Sequence, residues 1–309
     1  MESIAVAGSA IDSDSSATNT GGVAFAPVPP ARMPLLRGTR PLKRWRYVAI
    51  FCEELMACAA IVQVGPARQS FWAVLLRGER PGSQPRLLER TRLLPRRDAL
   101  ELPPGELRIR DRGVDPRGPR RRSLTGAIAC DFVLAEDAAI ETACAHGGGY
   151  VWTRKQAGVA ARGAIAIDGA RPREIEALAV IDDTAGYHAR VTEWWWAAGV
   201  GVDRAGAPLA FNLVAGVNDP PRGSERAIWV AGVPREVPSV SFAADLTRID
   251  AADGSVLRFT PEAQRERRER LLLVSSEYRA PFGSFSGTLP GGLELREGLG
   301  VVEHHRARW

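Results

Sequence analysis

Lysine is nearly absent from this sequence. It occurs only at Lys43 and Lys155, so almost all of the 41 basic residues are arginine. With alanine and glycine abundant, that bias is the mark of a GC-rich coding genome, and the net charge of +5 is modest. The basic balance is therefore a poor argument for nucleic acid, and no nucleic-acid partner is expected. The one dense basic run, "RGPRRRS" from Arg117 to Ser123, has no interleaved aromatic residue. It reads as a solvated loop rather than a strand-stacking surface. Cysteine is sparse as well. Cys52, Cys58, Cys130 and Cys144 form no CxxC pair and no zinc-like spacing, which suits a reduced, cytoplasmic protein. Among the four histidines, His304 and His305 are adjacent and diverge on a strand, so no metal site is expected. Long apolar runs are missing too. "ELMACAAIVQVG" is too short to cross a bilayer, so no integral membrane segment is expected. The N-terminus has an early Glu2 and no basic region, which argues against a secretory signal. No Walker, Rossmann, nucleophile-elbow or zinc-protease motif occurs, and no cofactor is expected.

What is present is strand after strand. Residues 1–33 are Ser/Thr/Gly-rich and then Pro-rich, and read as a disordered leader. From "RWRYVAIF" onward, short apolar segments are separated by Gly and Asp turns. "GELRIRDRG" alternates Leu107 and Ile109 against Arg108 and Arg110, the period of a half-buried strand. "EWWWAAGVGVDRAGAPLAFNLVAGVN" reads as a hairpin turning at "DRAG". One segment, "TPEAQRERRERLLL", is open between a short helix capped by Thr260 with Pro261 behind it and a charged loop feeding the next strand. The pattern predicts an all-β barrel or sandwich with little helix.

Chemistry concentrates in "DDTAGYHARVTEWWWAAGVGVD", from Asp182 to Asp203. Asp182 and Asp183 follow an apolar strand, so one faces inward and the other outward. An inward carboxyl in an apolar cavity gains a raised pKa and can act as a general acid. The same pair before a Gly turn also serves as a backbone-capping device. Tyr187 and His188 stand just beyond the turn. Trp194 and Trp196 share one strand face, fit either for core packing or for lining a ligand, and Trp195 takes the other face with Glu193. Asn212 sits in the apolar run "LAFNLVAG" and needs partners if buried. Glu303, with His304 and His305, joins the group if the last strand closes the barrel beside the first.

Four segments in order, "RGTRPLKRWRYVAIF", "DDTAGYHARVTEWWWAAGVG", "SSEYRAPFGSFSG" and "GVVEHHRARW", resemble the DUF2804 family of unknown function, from about residue 34 to the end. More distantly, that family is similar to the lipocalin-like group containing AttH and the carotenoid hydratase CrtC. The resemblance implies two lipocalin-like antiparallel β-barrel halves, over residues 34–168 and 169–309. It implies a pocket for an apolar or amphipathic small molecule lined by the segment Asp182 to Trp196, and the residues themselves offer Tyr187, Trp194, Trp196, Asn212 and His304 as its ligand contacts. It also implies the alternative of a hydratase, isomerase or cyclase acting on an unsaturated lipid. There Asp182 or Asp183 protonates the substrate, His188 tunes the proton, and Glu303 activates water. A third reading is a non-enzymatic interaction protein that docks an acidic partner on the Arg117–Arg122 loop.

Overall fold

The computed structural model describes residues 32–78, 85–93, 99–112, 126–271 and 274–308. The expected leader, apart from Arg32 and Met33, lies outside the described residues, as does the Arg-rich run. The fold is all-β. A small ribbon pairs β1 (Leu36–Arg37) with β2 (Arg40–Pro41). The first large sheet comprises β3 (Lys43–Phe51), β4 (Leu55–Val64), β5 (Ala67–Leu76), β6 (Arg86–Leu93), β7 (Leu100–Glu101), β8 (Glu106–Asp111), β9 (Ile128–Leu134), β10 (Ile140–His146), β11 (Gly149–Ile167) and β12 (Arg173–Gly186). The second comprises β13 (Val191–Val202), β14 (Pro208–Ala215), β15 (Ala227–Val230), β16 (Val233–Glu236), β17 (Val240–Phe242), β18 (Arg248–Ala251), β19 (Val256–Leu271), β20 (Val274–Leu289) and β21 (Leu293–Arg308).

Both sheets follow one plan. The first runs β6-β5-β4-β3-β12-β11-β9-β8-β7, with β10 also on β11, and the second runs β16-β15-β14-β13-β21-β20-β19-β18-β17. In each, the first long strand pairs with the last, β3 with β12 and β13 with β21. Each is thus an up-and-down meander curled into a half-barrel, and the two correspond to two lipocalin-like halves. By sheet membership the chain changes halves between Gly186 and Val191, so β12, expected in the second half, belongs to the first sheet.

Alternation sorts the side chains of the two sheets into three large cores, beside a small cluster around Leu42 and Tyr150. Val48, Ile50, Ala179 and Ile181 point into the first half-barrel, with Phe132 and Trp72. Ala197, Phe211, Phe285 and Val302 fill the second. Tyr47, Ala49, Val180, Trp196, Phe282 and Val301 form a third core between the sheets. Strands at this junction are buried on both faces, which is why β3 from Tyr47 to Phe51 and β13 from Trp194 to Val202 read as continuous apolar runs. Gly199 and Gly300 pair directly across β13 and β21. A Cβ on Gly199 would lie 2.8 Å from Phe211 Cζ, and one on Gly300 would lie 2.9 Å from Phe285 Cε2. The bare backbones leave room for those two rings, which meet edge to face at 5.0 Å.

The segment 260–271 is neither helix nor loop. It is the body of β19, paired with β20 from Leu257 to Leu271, with a bulge between Pro261 and Ala263 that absorbs the proline. Ala263, Arg265, Arg267 and Glu269 alternate with Gln264, Glu266, Arg268 and Arg270. Three of the charges that disguised the strand, Arg265, Arg267 and Glu269, sit at inner positions because the inner face borders a cavity, and Glu266, Arg268 and Arg270 face solvent. Arg77 clamps the halves together at one edge. Its guanidinium donates twice to Glu262, at 2.8 and 2.9 Å.

Candidate functional site

A cavity of about 380 Å³ lies between the two sheets. Its first wall is a row in which Phe71 lies opposite Ala60, Ala60 opposite Tyr47, Tyr47 opposite Asp182, and Asp182 opposite Lys155, and the row continues past the cavity to Thr91, opposite Phe71. Its second wall comes from β13, β14, β19, β20 and β21. There Trp196 pairs with Glu303 and Val214, and Trp194 pairs with His305. The walls meet through their rings. Trp45 stacks on Trp194 at 6.3 Å, and Tyr47 meets Trp196 edge-on at 5.4 Å.

Asp182 faces this cavity. Its Oδ2 accepts from Trp45 Nε1 at 3.1 Å, and its Oδ1 accepts from Thr184 Oγ at 2.8 Å and lies 2.6 Å from Lys155 Nζ. Lys155 is 3% exposed and also reaches Glu225 Oε1 at 3.3 Å. Burial pulls the Lys155 pKa down, but the two carboxylates outweigh it and hold the ammonium above its ordinary value. Burial raises Glu225, with Lys155 opposing and Asp182 adding. Asn218 Nδ2 donates to Glu225 at 3.0 Å, while the buried Asn218 Oδ1 has no hydrogen-bond partner among the described residues and Asn218 stands at the cavity wall.

Glu303 occupies the opposite wall. Burial pushes its carboxyl up to about 7, against hydrogen bonds from Trp194 and Tyr278, while the charge of Asp182 adds to the rise. The Trp194 indole donates at 2.9 Å. Next along β21, His305 is held down to about 3 by burial, then by His304 and Arg265. It is therefore a neutral imidazole at pH 7, 2.8 Å from Ser276 Oγ and 4.3 Å ring to ring from Trp194. His188 also lines the cavity and is held well below its usual range by burial, then by Lys43 and His146. A carboxyl that titrates near neutrality, neutral imidazoles and aromatic faces together can donate a proton and cradle a positive charge.

The other expected residues stand elsewhere. Asp183 points to the opposite face of β12 and pairs with Arg46 at 2.6 Å, and Arg46 also holds Glu136. Tyr187 packs with Met33, Leu42 and Tyr150, and its hydroxyl donates to Pro34 O at 2.7 Å. His304 stacks on Trp195 at 4.7 Å and contacts Glu193 at 2.9 Å, on the face of β21 away from the cavity. Asn212 is a buried support. It accepts from Trp196 Nε1 at 2.7 Å and donates to Glu225 O at 2.8 Å. The structure thus brings together Asp182, His188, Trp194, Trp196 and Glu303. His305, expected beside Glu303, joins them, and the structure adds Trp45, Tyr47, Lys155, Glu225, Arg265 and Tyr278. Lys155 had a signal. In a chain with only two lysines both are interior, Lys43 at 1% and Lys155 at 3% exposure.

Two curled antiparallel sheets enclosing a polar-studded aromatic cavity define a protein of lipocalin-like fold. The chain belongs to the family described as "Domain of unknown function (DUF2804)", which matches residues 118–309. Among solved structures it is similar to kievitone hydratase from Nectria haematococca, at TM-score 0.51 and 11% identity, covering 85% of this chain and 88% of that one. It is also similar to an AttH-like protein of Nitrosomonas europaea, at TM-score 0.47 and 11% identity, covering 88% and 98%. No curated protein matches the chain. Among the described residues, no helix is long and apolar enough to cross a membrane.

Proposed function

We propose that the protein binds an apolar or amphipathic small molecule in the cavity between its sheets. The observation that carries this reading is the cavity of about 380 Å³ walled by Trp45, Tyr47, Phe71, Trp194 and Trp196. Such a mixture of aromatic wall and few polar groups is the ordinary make-up of a small-molecule site. The free cysteines Cys52, Cys58, Cys130 and Cys144 support a reduced, cytoplasmic setting. Mass spectrometry of molecules retained by the purified protein tests the reading. A stoichiometric lipid-like or terpenoid-like compound, lost when Val62 is replaced by Trp, supports it, and an empty protein that takes up no apolar probe contradicts it.

A second reading, acid-assisted addition of water to an alkene, is favoured by the neutral-range carboxyl of Glu303. Glu303 gives its proton to one alkene carbon, and the cation at the other carbon is held against the Trp45 and Trp194 faces. Water bonds to that carbon, and the proton it sheds returns to the Glu303 carboxylate. Return of a different proton from the same cation to the Glu303 carboxylate gives isomerisation, and attack of a second alkene on the cation followed by the same proton return gives cyclisation. The fold shared with a hydratase supports this reading as analogy only. It reverses the expected roles, because all three contacts of Asp182 engage it as an acceptor. Glu303→Gln abolishes the gain of one water by a substrate, seen as product mass. Turnover at the wild-type rate in that variant contradicts the acid role.

A further inference from the structure

The charges on the cavity wall are not scattered; they are sorted along its length. At the inner end, the buried Asp182 and Glu225 face a single ammonium, Lys155. At the outer end the order is reversed, since three arginines, Arg68, Arg265 and Arg267, line the wall with one glutamate, Glu269. The row from Lys155 to Thr91 separates these ends by five strand spacings, about 24 Å along the curved sheet at roughly 4.8 Å each. The outer end is also the open one. Leu93 there is 55% exposed, and Arg68 is exposed, whereas Asp182, Lys155, Asn218 and Glu225 are all buried.

Each arginine has a distinct state. Arg265 is 3% exposed, its guanidinium 3.9 Å above the Phe71 ring, with Nε 3.1 Å from Glu89 and Nη2 donating to Thr91 at 2.9 Å. It is a fixed cation in the wall. Arg267, one pleat further out, is half-buried and shares its guanidinium with Glu269. Arg68 has no ion-pair or hydrogen-bond partner among the described residues. Between the two ends the wall is aromatic.

We infer that the ligand is an anionic amphiphile, a carboxylate-bearing chain bound with its head at Arg68 and Arg267 and its tail inward past Trp194 and Trp196 toward Glu303. A planar carboxylate matches the two-pronged guanidinium donor. The excess of carboxylates at the inner end repels the head and the arginines at the mouth attract it, so one orientation is selected. The negative head stays on the solvent side, where desolvation is smallest. This inference rests on the pocket reading above and adds to it the class and direction of the ligand.

The test is a matched pair of probes, cis-9-hexadecenoic acid and its methyl ester, titrated into the full chain by calorimetry. The acid is expected to bind about tenfold more tightly than the ester, and to weaken with added salt. Arg68→Gln with Arg267→Gln erases that preference while leaving the ester unchanged. Glu269→Gln strengthens binding of the acid, because it releases Arg267 from its internal partner. Arg68 is exposed and Arg267 and Glu269 are half-buried at the mouth, and unchanged melting temperatures confirm folding of the variants. Equal affinity for acid and ester, or a preference that survives the double variant, overturns the head-out anion while the pocket reading stands. Binding of neither probe overturns the pocket reading and this inference with it.

Discussion

Trp194 donates its indole N–H to Glu303 across 2.9 Å, on neighbouring strands β13 and β21. This contact favours the charged carboxylate, while burial favours the neutral acid and prevails, placing the group at about 7. Carbon-13 carboxyl NMR of the protein should show one glutamate titrating with a midpoint near that value. Trp194→Phe keeps an aromatic wall and removes the donor, so the midpoint moves upward. An unmoved or lower midpoint contradicts the assignment.

The same shift has a stability consequence. Glu303 holds its proton more tightly in the folded chain than its ordinary value of 4.5 allows. The stabilisation linked to it is fully present below pH 4.5 and lost as pH rises through about 7. The displacement corresponds to about 3 kcal/mol. His305 works in the opposite sense. Its pKa is lowered from 6.5 to about 3, so its contribution is present above 6.5 and lost as pH falls toward 3. In urea unfolding across pH, Glu303→Gln should remove the decline on the neutral side, and His305→Asn should soften the decline on the acid side.

Lys155 is the counter-charge for two buried carboxylates. Lys155→Met leaves Asp182 and Glu225 uncompensated and is expected to cost about 3–5 kcal/mol in urea unfolding. Adding Asp182→Asn and Glu225→Gln to the same chain removes the stranded charges and should recover most of that loss. If the triple variant is no more stable than the single one, the cluster is not held by charge pairing.

Asp182 and Asp183 are neighbours in sequence with opposite surroundings. Asp182→Asn should weaken ligand binding severalfold, because it disturbs Lys155, Trp45 and the cavity wall together. Asp183→Asn breaks a partly exposed pair with Arg46. It should lower stability by about 1 kcal/mol and leave ligand affinity unchanged.

The all-β class was legible because alternation and Gly/Asp turns are local signals. So was the split of the two aspartates, since a strand must send consecutive side chains to opposite faces. The joining of Glu303 to the Asp182 segment hung on whether the last strand lies beside an earlier one, and it pairs with β13. What stayed hidden depends on which sheet faces lie against each other. Arg265 and Arg267 look like a solvated charge run until β19 is placed along the cavity. Tyr187 and His304 look like site residues by proximity, yet the first follows the turn into a separate cluster and the second falls on the wrong parity of β21. The change of halves after β12 was also obscured, because "DGARPRE" breaks the strand pattern within a hairpin of one sheet.

The space between the sheets is the proposed ligand site. Nile red, a neutral apolar dye, can be titrated into the wild-type chain and into Val62→Trp, which places an indole in the cavity, with matched circular dichroism and melting temperature. Saturable one-to-one fluorescence enhancement in the wild type, weakened at least about tenfold in the variant, is the predicted result. Equal binding by both proteins, or enhancement that never saturates, would contradict it.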